Sequence, residues 1–312
     1  MAKTVVVLGA AGRIGKAAAQ TFLDAGYHVR VATRDGRAVL PGTEPVKADA
    51  MSVEQLRAAF TGADVIFNGL NPLYPEWKTV AMPMARNIMD AMRGSGALHL
   101  FPGNVYVYGS PMPQVLREDT PQNPTTVKGK IRLDMEALFR REAEEHGTRS
   151  IVLRAGDFFG AGSGSWFDLV LTAKLKDGVF TTPGPMNLPH AWAYLPDLVA
   201  AFARLPDVAD RLALYETLHF PGYTVTLGQM KAAIEQAAGK PLKVSKLPWW
   251  GLRLTTPFNA MNREIYEMRY LWDEAHSLQS GRLEKLIGPL PATPLNAAVA
   301  QTLDGPVIKA AA

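Results

Sequence analysis

The stretch "VVVLGAAGRIG" constrains this chain more than any other, because it prescribes a buried strand, a tight turn and a helix start in immediate succession. Its glycines fall at Gly9, Gly12 and Gly15. Gly9 permits the turn, Gly12 lets a diphosphate approach the backbone, and Gly15 lets the helix lie close on the sheet. The helix start adds N–H donors and the positive end of its dipole, so Ala11, Arg13 and Ile14 join the glycines as expected contacts. Arg13 either adds a phosphate contact or is solvated. A merely tight turn would use the same glycines, but a second strand, "HVRVAT", follows the helix and favours a dinucleotide site.

The first half of the chain continues in strict alternation. The strands "TVVVLG", "HVRVAT", "ADVIFNG", "ALHLFPG" and "RSIVLRAG" alternate with the helices "RIGKAAAQTFLDAG", "SVEQLRAAFTG", "EWKTVAMPMARNIMDAMRGSG" and "NPTTVKGKIRLDMEALFRREAEEHG". Such alternation predicts an α/β fold, a doubly wound parallel sheet of Rossmann type, with ligands at the carboxyl ends of the strands. From about residue 157 the chain turns to Gly, Pro and aromatic residues, as in "GDFFGAGSGSWFD" and "LPWWGLRLTTPF". Helices return at "DLVAAFARL", "TLGQMKAAIEQAAGK" and "NREIYEMRYLWDEAHSLQ". We therefore expect an NAD(P)-binding domain over 1–156, completed by about 188–205, and an irregular substrate lobe from 157–187 and 206–312. The tail "DGPVIKAAA" is expected to lack structure.

Composition closes several alternatives. A charge of +4 with Lys and Arg spread along the chain gives no nucleic-acid surface, so the expected partner is a small molecule. The absence of cysteine removes thiol nucleophiles and cysteine-held metal, and no other residues are spaced as a metal site. No run approaches the ~18 apolar residues of a membrane span, and the opening run reads as a strand rather than a signal peptide. No membrane partner and a cytoplasmic location are the default expectations, with a homodimer possible.

The spacing G-x-x-G-x-x-G resembles that of the short-chain dehydrogenase/reductase superfamily, in its extended, epimerase/dehydratase-like branch, and further stretches extend the resemblance over most of the chain. "DAMS" resembles the adenine-side motif, which implies Asp49 and Ala50; "FNGLNP" stands at the strand-four motif, which implies Asn68, Gly69 and Leu70. "FPGNVYVYG" is similar to S-S-x-x-V-Y-G and implies Pro102 and Gly103; "LRAGDFFG" is similar to R-x-G-x-x-x-G and implies Ala155, Gly156 and Phe158. "HAWAYLPDLVAA" resembles H-V-x-D, which makes His190 structural. The cofactor implied is NADP rather than NAD: the place of an NAD-selecting carboxylate is taken by Thr33, followed by Arg34, and Arg suits a 2′-phosphate. Asp35 argues the other way unless it opens the turn "RDGR".

"KGKIR" departs from the family. Its helix should begin Y-G-x-S-K, where Tyr exchanges the substrate proton and Lys holds the nicotinamide ribose; here Lys128 replaces the Tyr and Arg132 the Lys. The alternative register gives these roles to Thr126 and Lys130. At ~100° per residue Lys128 and Arg132 share the apolar face with Ile131, Met135 and Phe139, whereas Lys130 points outward. Glu142 lies on that face too, so side chains snorkelling off its edge are a bland explanation. Cations in a first turn oppose the helix dipole, and a compensating group is expected. Asn104 stands in place of the motif's Ser and can donate to a carbonyl but not relay a proton.

Two functions follow. One is an NADP(H)-dependent oxidoreductase acting on a small, largely apolar carbonyl or conjugated substrate. In it Asn104 orients the substrate, and Lys128, its pKa pulled down by burial and by Arg132, gives the proton, with Tyr106 and Tyr108 in reserve. The other is a non-catalytic NADP(H) sensor. A nucleotide-sugar epimerase or dehydratase ranks third, since it leans on the missing Tyr.

Overall fold

A computed structural model describes residues 2–160, 162 and 164–304; the expected unstructured tail lies mostly outside them. The first half runs β1 (Thr4–Leu8), α1 (Arg13–Asp24), β2 (His28–Thr33), β3 (Glu44–Lys47), α2 (Val53–Phe60), β4 (Val65–Asn68), α3 (Met82–Met92), β5 (Leu98–Gly103), β6 (Val115–Leu116), α4 (Val127–His146) and β7 (Ser150–Arg154). Then come β8 (Asp157–Phe159), β9 (Val179–Thr182), β10 (Pro189–Tyr194), α5 (Leu195–Arg204), β11 (Tyr215–His219), β12 (Tyr223–Thr226) and α6 (Leu227–Ala238). The chain closes with β13 (Lys243–Lys246), α7 (Trp249–Thr255), α8 (Ala260–Glu267), α9 (Tyr270–Asp273), β14 (Ser277–Leu278), α10 (Leu283–Ile287) and α11 (Leu295–Asp304).

Seven strands form one parallel sheet in the order β11-β7-β5-β4-β1-β2-β3. Successive side chains of a strand face opposite ways, so β1 feeds two cores. Val5 and Val7 pack with Phe22 of α1 and Phe202 of α5, while Val6 and Leu8 pack with Phe60 of α2, Met89 of α3 and Phe139 of α4. A sheet covered on both faces needs apolar residues at every position, which is why "VVVL" does not alternate. The order reverses between β1 and β4, and sheets of this kind take ligands outside the strands' carboxyl ends at such a point. A smaller lobe holds a sheet of β12-β10-β8 and the pair β13-β9 around Phe159, Trp192, Met230 and Trp272.

The structure corrects three sequence readings. The segment 206–312 is not wholly lobe: β11 is an edge strand of the main sheet, parallel to β7 with Tyr215 opposite Ser150. The expected helix from Glu76 is a π turn, Trp77–Ala81, followed by α3, whose first turn holds Pro83. Proline has no N–H to give, so the regular ladder starts around it. "NREIYEMRYLWDEAHSLQ" divides into α8 and α9, because the chain tightens to three-residue spacing at Met268 and Arg269, whose N–H groups donate to Ile265 and Tyr266.

Three buried histidines make the fold acid-sensitive. Burial lowers His99 to about 3, His219 to about 4 and His276 to about 3. Unfolded, each titrates near ~6.5. The unfolded chain therefore binds more protons between those values, and stability falls as pH drops from ~6.5 towards 4, by about 1–2 kcal/mol per histidine at pH ~5. Urea midpoints at pH ~7 and ~5 measure this; His99→Gln is expected to flatten the dependence.

Candidate functional site

Gly9 ends β1 at φ +71°, and a Cβ there would lie 2.7 Å from the Gly69 carbonyl oxygen. At Gly15 a Cβ would lie 2.2 Å from the Gly9 oxygen. The turn, the end of β4 and α1 are thus in backbone contact, and no larger residue fits. Gly12 is the N-cap of α1, without a side-chain cap, and the first turn contains no acidic residue. Ala11 and Gly12 are exposed and Ile14 is half-buried. These helix-start N–H groups, bare of side-chain partners, form a cradle that fits a diphosphate.

Arg13 is neither solvated nor simply turned to the cradle. Its Nη1 lies 3.8 Å from Oδ1 of Asp168 in the second lobe. Burial pulls the guanidinium pKa down while Asp168 and Asp157 push it up. Asp168 also accepts from the N–H groups of Gly164 and Ser165.

At the end of β2, Thr33 is buried and its hydroxyl donates to the Arg37 carbonyl at 3.4 Å. Arg34 is exposed, and Asp35 accepts from the Arg37 N–H at 3.3 Å, so Asp35 does open the turn. Asp49 accepts from the Met51 N–H at 2.9 Å, and the Ala50 carbonyl accepts from Asn87. Asn68 turns inward: it shares a hydrogen bond with His99 Nε2 at 3.2 Å and accepts from the Leu70 N–H. Gly69 donates to the Leu8 carbonyl. Pro102 and Gly103 are buried strand residues, and a Cβ on Gly103 would meet Arg154. Ala155 is fully buried, Gly156 is closed against Ala191, and Phe158 packs on the core beneath α1 and α5.

The helix carrying "KGKIR" starts at its N-cap Thr126, whose hydroxyl accepts from the Gly129 N–H at 3.0 Å. Lys130 is exposed, while Lys128 and Arg132 are buried. The missing compensation comes from α8. Glu264 and Glu267 both bind the Lys128 ammonium, the latter at 2.5 Å, and Glu267 also accepts from the Val127 N–H at 2.7 Å. One acidic helix thus neutralises a cation and caps a helix start that lacks its own acid. The ammonium also lies 5.0 Å from the Tyr74 ring centroid.

Arg132, expected to stand in for the family's Lys, packs among aromatic rings. Its guanidinium lies 4.6 Å from the Trp77 ring centroid and 4.9 Å from that of Phe101, and donates to Asn71 Oδ1 at 3.3 Å. Burial lowers its pKa, and its Nε has no partner. It walls a narrow pocket with Asn68, Trp77 and Met135. Lys128 is buried as expected, and the groups that meet its ammonium are the carboxylates Glu264 and Glu267. Glu142 does not snorkel; Arg93 holds it at 2.7 and 2.8 Å and lowers its pKa.

Asn104 Oδ1 accepts from the Tyr106 N–H at 3.0 Å, which leaves its amide nitrogen to donate. Tyr106 is buried beside α4: a Cβ on Gly129 would lie 2.4 Å from its carbonyl oxygen. Its hydroxyl shares a hydrogen bond with that of Tyr74 at 2.9 Å. Burial raises Tyr106 well above its ordinary pKa and Tyr74 to about 12. Both stay protonated at neutral pH. Tyr108 is unavailable, because its hydroxyl accepts from Arg154 at 2.8 Å and shares a hydrogen bond with His219 at 2.7 Å.

Several residues near the site carried no sequence signal. Tyr74, Glu264 and Glu267 come from segments far from α4 in the chain. Asp157 Oδ2 lies 2.8 Å from His190 Nε2, and that ring stacks on Trp272 at 4.3 Å. His190 thus has a carboxylate partner that spacing along the chain could not show. The Tyr270 hydroxyl is buried beside the Thr126 side chain, and burial raises its pKa.

A model of the NmrA-like family matches residues 1–298. The NmrA-like family domain-containing oxidoreductase FrzB of Cladobotryum sp is 35% identical over 107 residues, covering 31% of this chain and 32% of that protein. The match therefore spans under a third of that relative. Among solved structures, the UDP-glucose 4-epimerase of Bifidobacterium longum in complex with NAD+ and UDP superposes with a TM-score of 0.76 at 18% identity, covering 96% of this chain and 97% of that one. A partial consensus L-threonine 3-dehydrogenase superposes with a TM-score of 0.77 at 17% identity, covering 96% and 98%. At these identities the likeness shows the fold alone.

Proposed function

The chain belongs to the NmrA-like family, and on that premise we propose that it is an NADP(H)-dependent oxidoreductase that reduces a small, largely apolar carbonyl or conjugated substrate. One observation carries the reading. The phosphate cradle, Asn104, Tyr106 and the start of α4 gather at the carboxyl edge of one sheet. Gly12 and the first turn of α1 would hold the diphosphate, Asp49 the adenine side and Arg34 the 2′-phosphate. When bound, the nicotinamide supplies the hydride. Asn104 donates its amide N–H to the substrate oxygen. Tyr106 gives its proton as negative charge develops, Tyr74 passes its own along the shared hydrogen bond, and water returns a proton to Tyr74, which is half-buried. This moves the proton-donor role to Tyr106, because the Lys128 ammonium is occupied by Glu264, Glu267 and the Tyr74 ring. Lys128 then positions Tyr74.

That same occupation favours a second reading, a non-catalytic NADP(H) sensor. A nucleotide-sugar epimerase or dehydratase ranks below both, since it leans on the Tyr whose place Lys128 takes. The deciding experiment titrates the protein with NADPH and NADH, then follows NADPH absorbance with a panel of ketones, enones and imines. Turnover by the wild type supports the reductase; no turnover, with cofactor-dependent association of a partner, supports the sensor. For selectivity, Arg34→Ser is expected to weaken NADPH binding about tenfold and leave NADH binding unchanged, since one charged hydrogen bond to phosphate is worth roughly that much.

A further inference from the structure

We propose that the arm from Gln236 to Arg263 docks this protein on an anionic lipid bilayer. The arm holds five cations, Lys240, Lys243, Lys246, Arg253 and Arg263, and neither Asp nor Glu. All five are exposed. In the same arm Trp250 is 74% exposed, Leu254 67% and Phe258 91%. A spacing of four puts Trp250 and Leu254 on one face of α7, and Phe258 follows in the next turn. An aromatic and aliphatic stripe among cations is the chemistry of a segment lying in the headgroup layer of an acidic membrane.

The neighbouring surface extends the apolar patch. The Trp166 ring lies 6.2 Å from that of Trp249, which brings the turn carrying Leu169, 65% exposed, beside α7. Charge decides between occupants. Arg263 is paired with Glu264 at 3.6 Å; a second copy meeting this face by two-fold symmetry would set the other four cations, Lys240, Lys243, Lys246 and Arg253, against their own copies, whereas acidic headgroups neutralise them. At 91% exposure Phe258 projects from the protein, which suits a deformable interface. No helix among the described residues is long and apolar enough to cross a membrane, and a peripheral contact requires none. α8 follows directly with Glu264 and Glu267, so the arm joins this surface to Lys128. The docking does not depend on the reductase reading.

The test is co-sedimentation of the full chain with vesicles of equal parts phosphatidylglycerol and phosphatidylcholine, against phosphatidylcholine alone, at low and high salt. The wild type is expected to pellet with the acidic vesicles and to be released by salt. Trp250→Ser with Phe258→Ser, and separately Lys243→Glu with Lys246→Glu and Arg253→Glu, are each expected to lower partitioning about tenfold or more. These side chains are exposed, so thermal melts should match the wild type. Failure of the wild type to bind acidic vesicles at low salt overturns the proposal, as does equal binding by folded variants. A concentration-dependent dimer in sedimentation velocity, abolished by Phe258→Ser, would assign the face to a second copy and overturn it too.

Discussion

Tyr106→Phe is expected to lower kcat by about a hundredfold to ten-thousandfold, the usual span for loss of a general acid, while NADPH binds as before. The hydroxyl is buried and, among the described residues, paired only with Tyr74 at 2.9 Å, so its removal deletes the proposed proton source and leaves the cradle at Gly9 to Gly15 untouched. Tyr74→Phe interrupts the relay one step back and should cost less, about tenfold. A kcat effect without a cofactor-binding effect separates proton donation from general damage to the site. Unchanged turnover in Tyr106→Phe would return the role to Lys128. Lys128→Ala is a blunter probe, because it leaves Glu264 and Glu267 facing each other without their cation.

Arg154→Ala is expected to destabilise the fold by about 3–5 kcal/mol, the usual cost of breaking a buried pair from one side. Arg154 is fully buried, its Nε donates to Glu136 Oε1 at 3.2 Å, and its Nη1 donates to the Tyr108 hydroxyl at 2.8 Å. Removing it strands the Glu136 carboxylate in the core and takes a partner from Tyr108. The double change Arg154→Met with Glu136→Leu should recover much of the loss, since an apolar pair of similar volume leaves no buried charge. Urea unfolding monitored by circular dichroism measures both. A loss under about 1 kcal/mol for the single variant would mean that water reaches Glu136.

Local chemistry was legible in the sequence and long-range pairing was not. The glycines at 9, 12 and 15 announced the turn because each acts on its immediate neighbours. The helical projection separated buried Lys128 and Arg132 from exposed Lys130, since periodicity reports which face is covered. It could not report by what. Glu264 and Glu267 are 136 and 139 residues from Lys128, and nothing in "NREIYEMRY" marks them as its partners. Asp157 and His190 meet only because β8 and β10 pair, Trp192 beside Asp157. Nothing local in Tyr215 to His219 assigns that strand to the main sheet, because its place at the edge depends on β7. The breaks at Pro83 and Met268 were hidden by an apolar period that continues through them.

We propose that the end of β1 and the start of α1 hold a nicotinamide dinucleotide and prefer the form with a 2′-phosphate. Calorimetric titration of the wild-type protein measures that binding. The expected result is saturable binding of one NADPH per chain, with NADH weaker. No saturable binding of either nucleotide would contradict it, however well the cradle at Gly9, Gly12 and Gly15 is formed.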